Sequence, residues 1–74
     1  MRTLGEIRHP ECKISLFSWN GKYLVKFEQG LFEQTYKFEH LEFENETEFR
    51  SHLTSEFIDR VAANFRQMAA IRGS

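Results

Sequence analysis

The chain has one cysteine, one proline and one aspartate among 74 residues, and each scarcity closes off a class of protein. A single Cys12 cannot form an internal disulfide, which excludes a disulfide-stapled scaffold. No stretch approaches the roughly 18 consecutive apolar residues of a membrane-spanning helix, and the opening MRTLGEIRHP has no apolar run like that of a secretory signal. The expectation is a soluble cytoplasmic protein. Four scattered glycines make no phosphate-cradling loop, and there is no nucleophile elbow. With nothing in the pattern to set a base beside a nucleophile, the chain is expected not to be an enzyme and to take no cofactor. Ten basic against eleven acidic side chains leave a net charge of −1, which argues against a sequence-independent polyanion binder.

What the chain does have is apolar and aromatic content, 41% and 15%, enough for one small globular domain and too much for a disordered segment. A domain of this size buries only about 60% of the surface its unfolded chain exposes, so aromatic packing, a partner or a metal has to supplement the core.

Asn20-Gly21, set between alternating apolar runs, is the strongest short hairpin signal, because both central residues of a type I′ turn need positive φ. A two-residue loop there puts Trp19 opposite Lys22, Phe17 opposite Leu24, Leu16 opposite Val25 and Ile14 opposite Phe27. Gln29-Gly30 offers a second turn, which would set Phe27 against Phe32, Tyr23 against Tyr36 and Lys22 against Lys37. Both turns place Cys12, Ile14, Leu16, Ser18, Tyr23, Val25, Phe27, Phe32, Tyr36 and Phe38 on one face. Gln34 is the polar exception in the row of strand 3 and reads as a partly exposed edge position, or as an amide held for a ligand. The predicted strands cover about residues 11 to 19, 22 to 29 and 31 to 38.

After Phe38 the period changes. Leu41 and Phe43 keep the strand alternation and predict an extended crossover or short strand. Asn45 with Glu48 has capping-box spacing, and Phe49, Leu53, Phe57, Val61, Phe65 and Ala69 then recur every four residues. An unbroken helix from Glu46 to Ile71 would be about 39 Å long against about 27 Å for an eight-residue strand. Thr54-Ser55-Glu56 supplies an internal cap, so a short helix near 46 to 52 and a longer one near 54 to 71 are expected. The predicted fold is α+β: a three-stranded antiparallel β-meander followed by a C-terminal helical segment packed on one sheet face. Residues 1–10 are read as an extended N-terminal segment and residues 11–72 as the single small domain.

The face turned from the helices then carries all four lysines together with Phe17, Trp19 and Leu24. Three clustered apolar residues on an open sheet face mark a contact surface, assigned to Phe17, Trp19, Lys22, Leu24 and Lys37. Three occupants are considered. The first is another protein or a second copy of the chain, since aromatic residues favour interface centres and small domains gain stability by pairing. The second is the chain's own start, with Leu4 and Ile7 folding over Phe17 and Trp19. The third, kept as the alternative function, is a single-stranded nucleic acid stacked on the aromatics with lysines at its phosphates. The net charge and the strand order weigh against that alternative. The expected function is therefore a small non-enzymatic protein-interaction module, self-associating or binding another protein. Among His9, Cys12, His40 and His52, the hairpin register sets Cys12 and His40 on the order of 20 Å apart, so no metal site is expected.

Overall fold

A computed structural model describes residues 1–73. Four strands, β1 (Arg2–Ile7), β2 (Lys13–Trp19), β3 (Lys22–Gln29) and β4 (Phe32–Glu39), form one antiparallel sheet in sequence order. A 3₁₀ turn at His40–Glu42 leads to helices α1 (Glu46–His52) and α2 (Ser55–Arg72). The class is α+β, with the helices packed on the sheet.

The sheet has four strands where the sequence predicts three. Arg2–Ile7, expected only as an extended segment, pairs with β2, setting Thr3 opposite Phe17 and Ile7 opposite Ile14. It was missed because its alternation is broken: Leu4 sits in a bulge where the register shifts between Thr3 and Gly5, and Gly5 has φ 133°. Arg50 of α1 anchors that bulge, donating from Nη2 to the Leu4 carbonyl and from Nε to Glu46 at 2.9 Å. Leu4 and Ile7 consequently pack against the core from the sheet edge and do not lie over Phe17 and Trp19.

The Asn20-Gly21 turn is present as predicted, with φ of 52° and 74°, and every β2–β3 pair is the expected one. The second turn is Gly30-Leu31 and not Gln29-Gly30. Gly30 has φ 58° and Leu31 a negative φ, the pattern of a type II′ turn with glycine first, which spares Gln29 a left-handed backbone. The shift moves β4 by two residues, so Phe27 faces Gln34 and Tyr23 faces Phe38. Because side chains alternate with period two, the faces are unchanged.

The chain breaks between the helices as expected. Asn45 Oδ1 accepts from the Glu48 amide at 2.9 Å and Thr54 Oγ1 from the Phe57 amide at 3.1 Å, capping both starts. The helical stripe of Phe49, Leu53, Ile58, Val61 and Phe65 joins Ile14, Leu16, Tyr23, Val25 and Phe27 in one core. Phe49 is fully buried, its ring stacked on Tyr23 at 4.4 Å and 6°, and Phe38 and Phe43 pack edge-on or tilted around it. Leu41, expected in the crossover beside Phe43, is instead 98% exposed on the 3₁₀ turn, while Phe43 packs. Phe49→Ala is expected to lower unfolding free energy by about 3 to 5 kcal/mol, against less than about 0.5 kcal/mol for Leu41→Ala, as read by urea denaturation.

Candidate interaction surface

The face opposite the helices is built mainly by the outward alternates of β2, β3 and β4. Lys13, Ser15, Phe17 and Trp19 come from β2, Lys22, Leu24, Lys26 and Glu28 from β3, and Glu33, Thr35, Lys37 and Glu39 from β4. The structure brings Phe17, Leu24 and Lys37 into one cross-strand row, with Trp19 and Lys22 paired in the next row along β2 and β3. Those five residues therefore share a surface, but they are not equally available. Trp19 is 50% exposed and Phe17 half-buried, whereas Leu24 is only 7% exposed. Leu24 lies on a central strand between Phe17 and Lys37, and long cross-strand neighbours at this spacing cover a small side chain without another layer.

The charges are arranged to satisfy one another. Lys22 was predicted to oppose Lys37; the true second turn sets it opposite Glu39, with Nζ 3.8 Å from that carboxylate. Lys26 lies 4.0 Å from Glu28 and 3.6 Å from Glu33, two carboxylates that face each other across β3 and β4. Lys37, opposite Leu24, has no ion-pair partner among the described residues. With two of the four lysines engaged by carboxylates, a phosphate-binding track on this face is weakened.

Sequence reasoning missed one contributor to the Trp19 end. The amide of His40 donates to the Gly21 carbonyl at 2.9 Å, which hangs the 3₁₀ turn beside the Asn20-Gly21 hairpin. That places the bare Leu41 at the same end of the sheet as Trp19. The alternation placed Leu41 with Phe43 in an extended crossover or short strand; the hydrogen bond that bends the chain after Glu39 sets it on a 3₁₀ turn, where it is exposed.

Gln34 and the histidines have structural roles. Gln34 Nε2 donates to the Val61 carbonyl at 2.9 Å and its Oε1 accepts from Tyr36 at 3.0 Å, so the amide ties β4 to α2. His40 Nε2 lies 3.0 Å from Ser18 Oγ, and its ring packs on Tyr23 at 4.2 Å. At the far end of the sheet, His9 Nδ1 accepts from the Glu11 amide at 3.1 Å, which leaves Nε2 to donate to Asp59 at 3.3 Å. Cys12 Sγ lies 3.8 Å from the same Nδ1. Thiol, imidazole and carboxylate stand in a row, yet the Glu11 amide already occupies the imidazole lone pair. Burial, and secondarily the Glu11 carboxylate, push the Cys12 thiol above its ordinary pKa, so it is held protonated rather than activated. Among the described residues no three His, Cys, Asp or Glu side chains converge on a point that would hold a metal, and no helix is long and apolar enough to cross a membrane.

No family model matches the chain, and neither curated proteins nor solved structures match it significantly.

Iodoacetamide alkylation of Cys12 is expected to reach half its maximal rate at a higher pH than a free cysteine, because the reactive thiolate is disfavoured by burial and by Glu11. Glu11→Gln should move that midpoint part of the way back down; an unchanged midpoint would show that burial acts alone.

Proposed function

We propose that the protein is a small interaction module without catalysis of its own, and that its contact surface is the Trp19 end of the open sheet face. The observation that carries this is Trp19 itself: the chain's one tryptophan stands half-exposed beside Phe17, on a face that no element of the fold covers. Tryptophan supplies large, rigid apolar contact area and is a recurrent anchor of protein interfaces.

The occupant is another polypeptide, a second protein or a second copy of this chain. Phe17 and Trp19 form the apolar centre, the stem of Lys22 borders it, and the unpaired Lys37 supplies one cation that favours an acidic group at the partner's rim. Leu24 contributes by filling the surface from below rather than by direct contact. The five residues stand together because the Asn20-Gly21 turn sets Phe17 and Trp19 against Leu24 and Lys22, and the Gly30-Leu31 turn sets Lys37 against Leu24. A cytoplasmic setting fits a free Cys12.

Trp19→Ala is expected to abolish association with the occupant of this face while leaving the far-ultraviolet circular dichroism and the urea midpoint close to those of the parent. Half-exposed Trp19 makes little of the core, so a variant that unfolds would reassign it to the interior. Association that persists in a folded Trp19→Ala protein would remove the open face from the interaction. Complex formation that weakened steeply between 50 and 200 mM salt, as counterion release demands, would transfer the reading to nucleic acid.

A further inference from the structure

The two free edges of the sheet differ in a way that points to one of them as an interface. An edge strand presents unpaired N–H and C=O groups, and monomeric proteins blunt such edges with bulges, short strands or covering groups. β1 is blunted: it is short, bulged at Leu4 and Gly5, and its Leu4 carbonyl is taken by the Arg50 guanidinium. β4 is guarded only by charge: it runs eight residues in unbroken register with β3, with Glu33, Lys37 and Glu39 among its outward alternates.

The turn determines which backbone groups β4 leaves free. Gln29 and Phe32 close a two-residue loop and exchange hydrogen bonds, so Phe32, Gln34, Tyr36 and Phe38 direct their N–H and C=O toward β3. Glu33, Thr35, Lys37 and Glu39 direct theirs outward. The last of these is capped, its amide donating to Glu42 Oε2 at 2.8 Å, which leaves Glu33, Thr35 and Lys37 as the open stretch.

We propose that β4 pairs antiparallel with β4 of a second copy about a two-fold axis at Thr35, joining the two sheets into one. In that register Glu33 stands opposite the partner's Lys37 and Lys37 opposite the partner's Glu33, with Thr35 against its own copy. On the helix side Phe32 meets the partner's Phe38, and Gln34 meets the partner's Tyr36. The alternatives are poorer. A shift of two residues one way sets Glu33 against the partner's Glu39; a shift the other way leaves Lys37 beside the Leu31 turn.

Two features of the single chain fit this occupant. Glu28 and Glu33 face each other with Lys26 as their shared cation, while among the described residues Lys37 has no carboxylate of its own. Pairing brings the partner's Lys37 to Glu33 and meets both needs. On the helix side Phe32, Gln34, Tyr36 and Phe38 are all only half-buried, and Tyr36 lines a groove of about 810 Å³ together with His52 and Thr54 at the α1–α2 junction and Phe57 and Arg60 of α2. It leaves room at Tyr36, where the partner's Gln34 would arrive. The two-fold axis runs perpendicular to the sheet, so both copies keep their helices on one side and their Trp19 faces open on the other. The edge pairing thus goes beyond the Trp19 reading and does not depend on it.

The test is solution mass by light scattering across a wide concentration range on the full chain, with five variants. The parent is expected to move from monomer to dimer mass as concentration rises. Glu33→Lys and Lys37→Glu should each raise the dissociation constant about tenfold or more, since each sets like charges opposite at two symmetric places. The double variant carrying both substitutions restores opposite charges and should dimerise like the parent. Thr35→Pro removes an outward amide that no β3 group uses and should abolish the dimer while leaving the circular dichroism intact. In hydrogen exchange, the Glu33, Thr35 and Lys37 amides should gain protection with concentration. A parent that stays monomeric at every concentration overturns the proposal, as does a double variant that fails to recover while both single variants remain folded. A dimer lost in Trp19→Ala but kept in folded Thr35→Pro would also overturn it, assigning self-association to the open face.

Discussion

The helical segment of this chain is enough to cover one face of its sheet, and the rest of the molecule follows from that limit. An 18-residue α2 is about 27 Å long, the length of an eight-residue strand, and it lies over β3 and β4 while α1 brings Phe49 onto Tyr23. All six of the largest fully buried side chains belong to that single interior: Phe27, Phe49, Phe65, Ile14, Leu16 and Val25. The opposite face has to manage without a second layer. It does so by cross-strand packing, which hides Leu24, and by carboxylates placed within reach of Lys22 and Lys26.

Burial alone is non-directional and would let a helix slide on an aromatic surface. Three polar contacts fix the position. Gln34 reaches the Val61 carbonyl at the β4 side, His9 meets Asp59 at the β1–β2 side, and Arg50 joins α1 to the bulged backbone of β1. Each links a helix to a different part of the sheet. Hydrogen bonds of this kind add only about 0.5 to 1.5 kcal/mol apiece, but they are satisfied in one arrangement of the layers and not in its neighbours. The half-exposed row of Phe32, Tyr36 and Phe38 shows where that arrangement stops: β4 is a core strand on its β3 side and a surface strand on the other.

The two free surfaces offer different physics. On the proposed reading the Trp19 face contributes side-chain contact, with an aromatic centre beside Lys37, and its specificity would come from shape and charge at the rim. The β4 edge can contribute main-chain hydrogen bonds, which are indifferent to sequence, with register set by Glu33, Thr35 and Lys37. They lie on perpendicular directions of one sheet but share Lys37, so pairing along β4 leaves the aromatic centre open while engaging that lysine.

Much of this was legible in the residues because strand and helix periods differ and because Asn-Gly admits one kind of turn. Those two facts determined every β2–β3 pair, the helical stripe and the face on which Phe17, Trp19 and Leu24 lie, while the break before Thr54 was read from its cap residues and from the length of an unbroken helix. The alternation survived even a mistaken second turn, since an error of two residues leaves side chains on the same face. What depends on exact partners did not survive it: the opposition of Lys22 and Lys37 vanished once Gly30 took the first position of its turn. Nor could local pattern find β1, whose bulge breaks the alternation and is held by Arg50 from the other end of the chain. The exposure of Leu41, the burial of Leu24 and the tie from Gln34 to Val61 were likewise decided in three dimensions. Each depends on what a distant segment brings alongside, and periodicity carries no information about that.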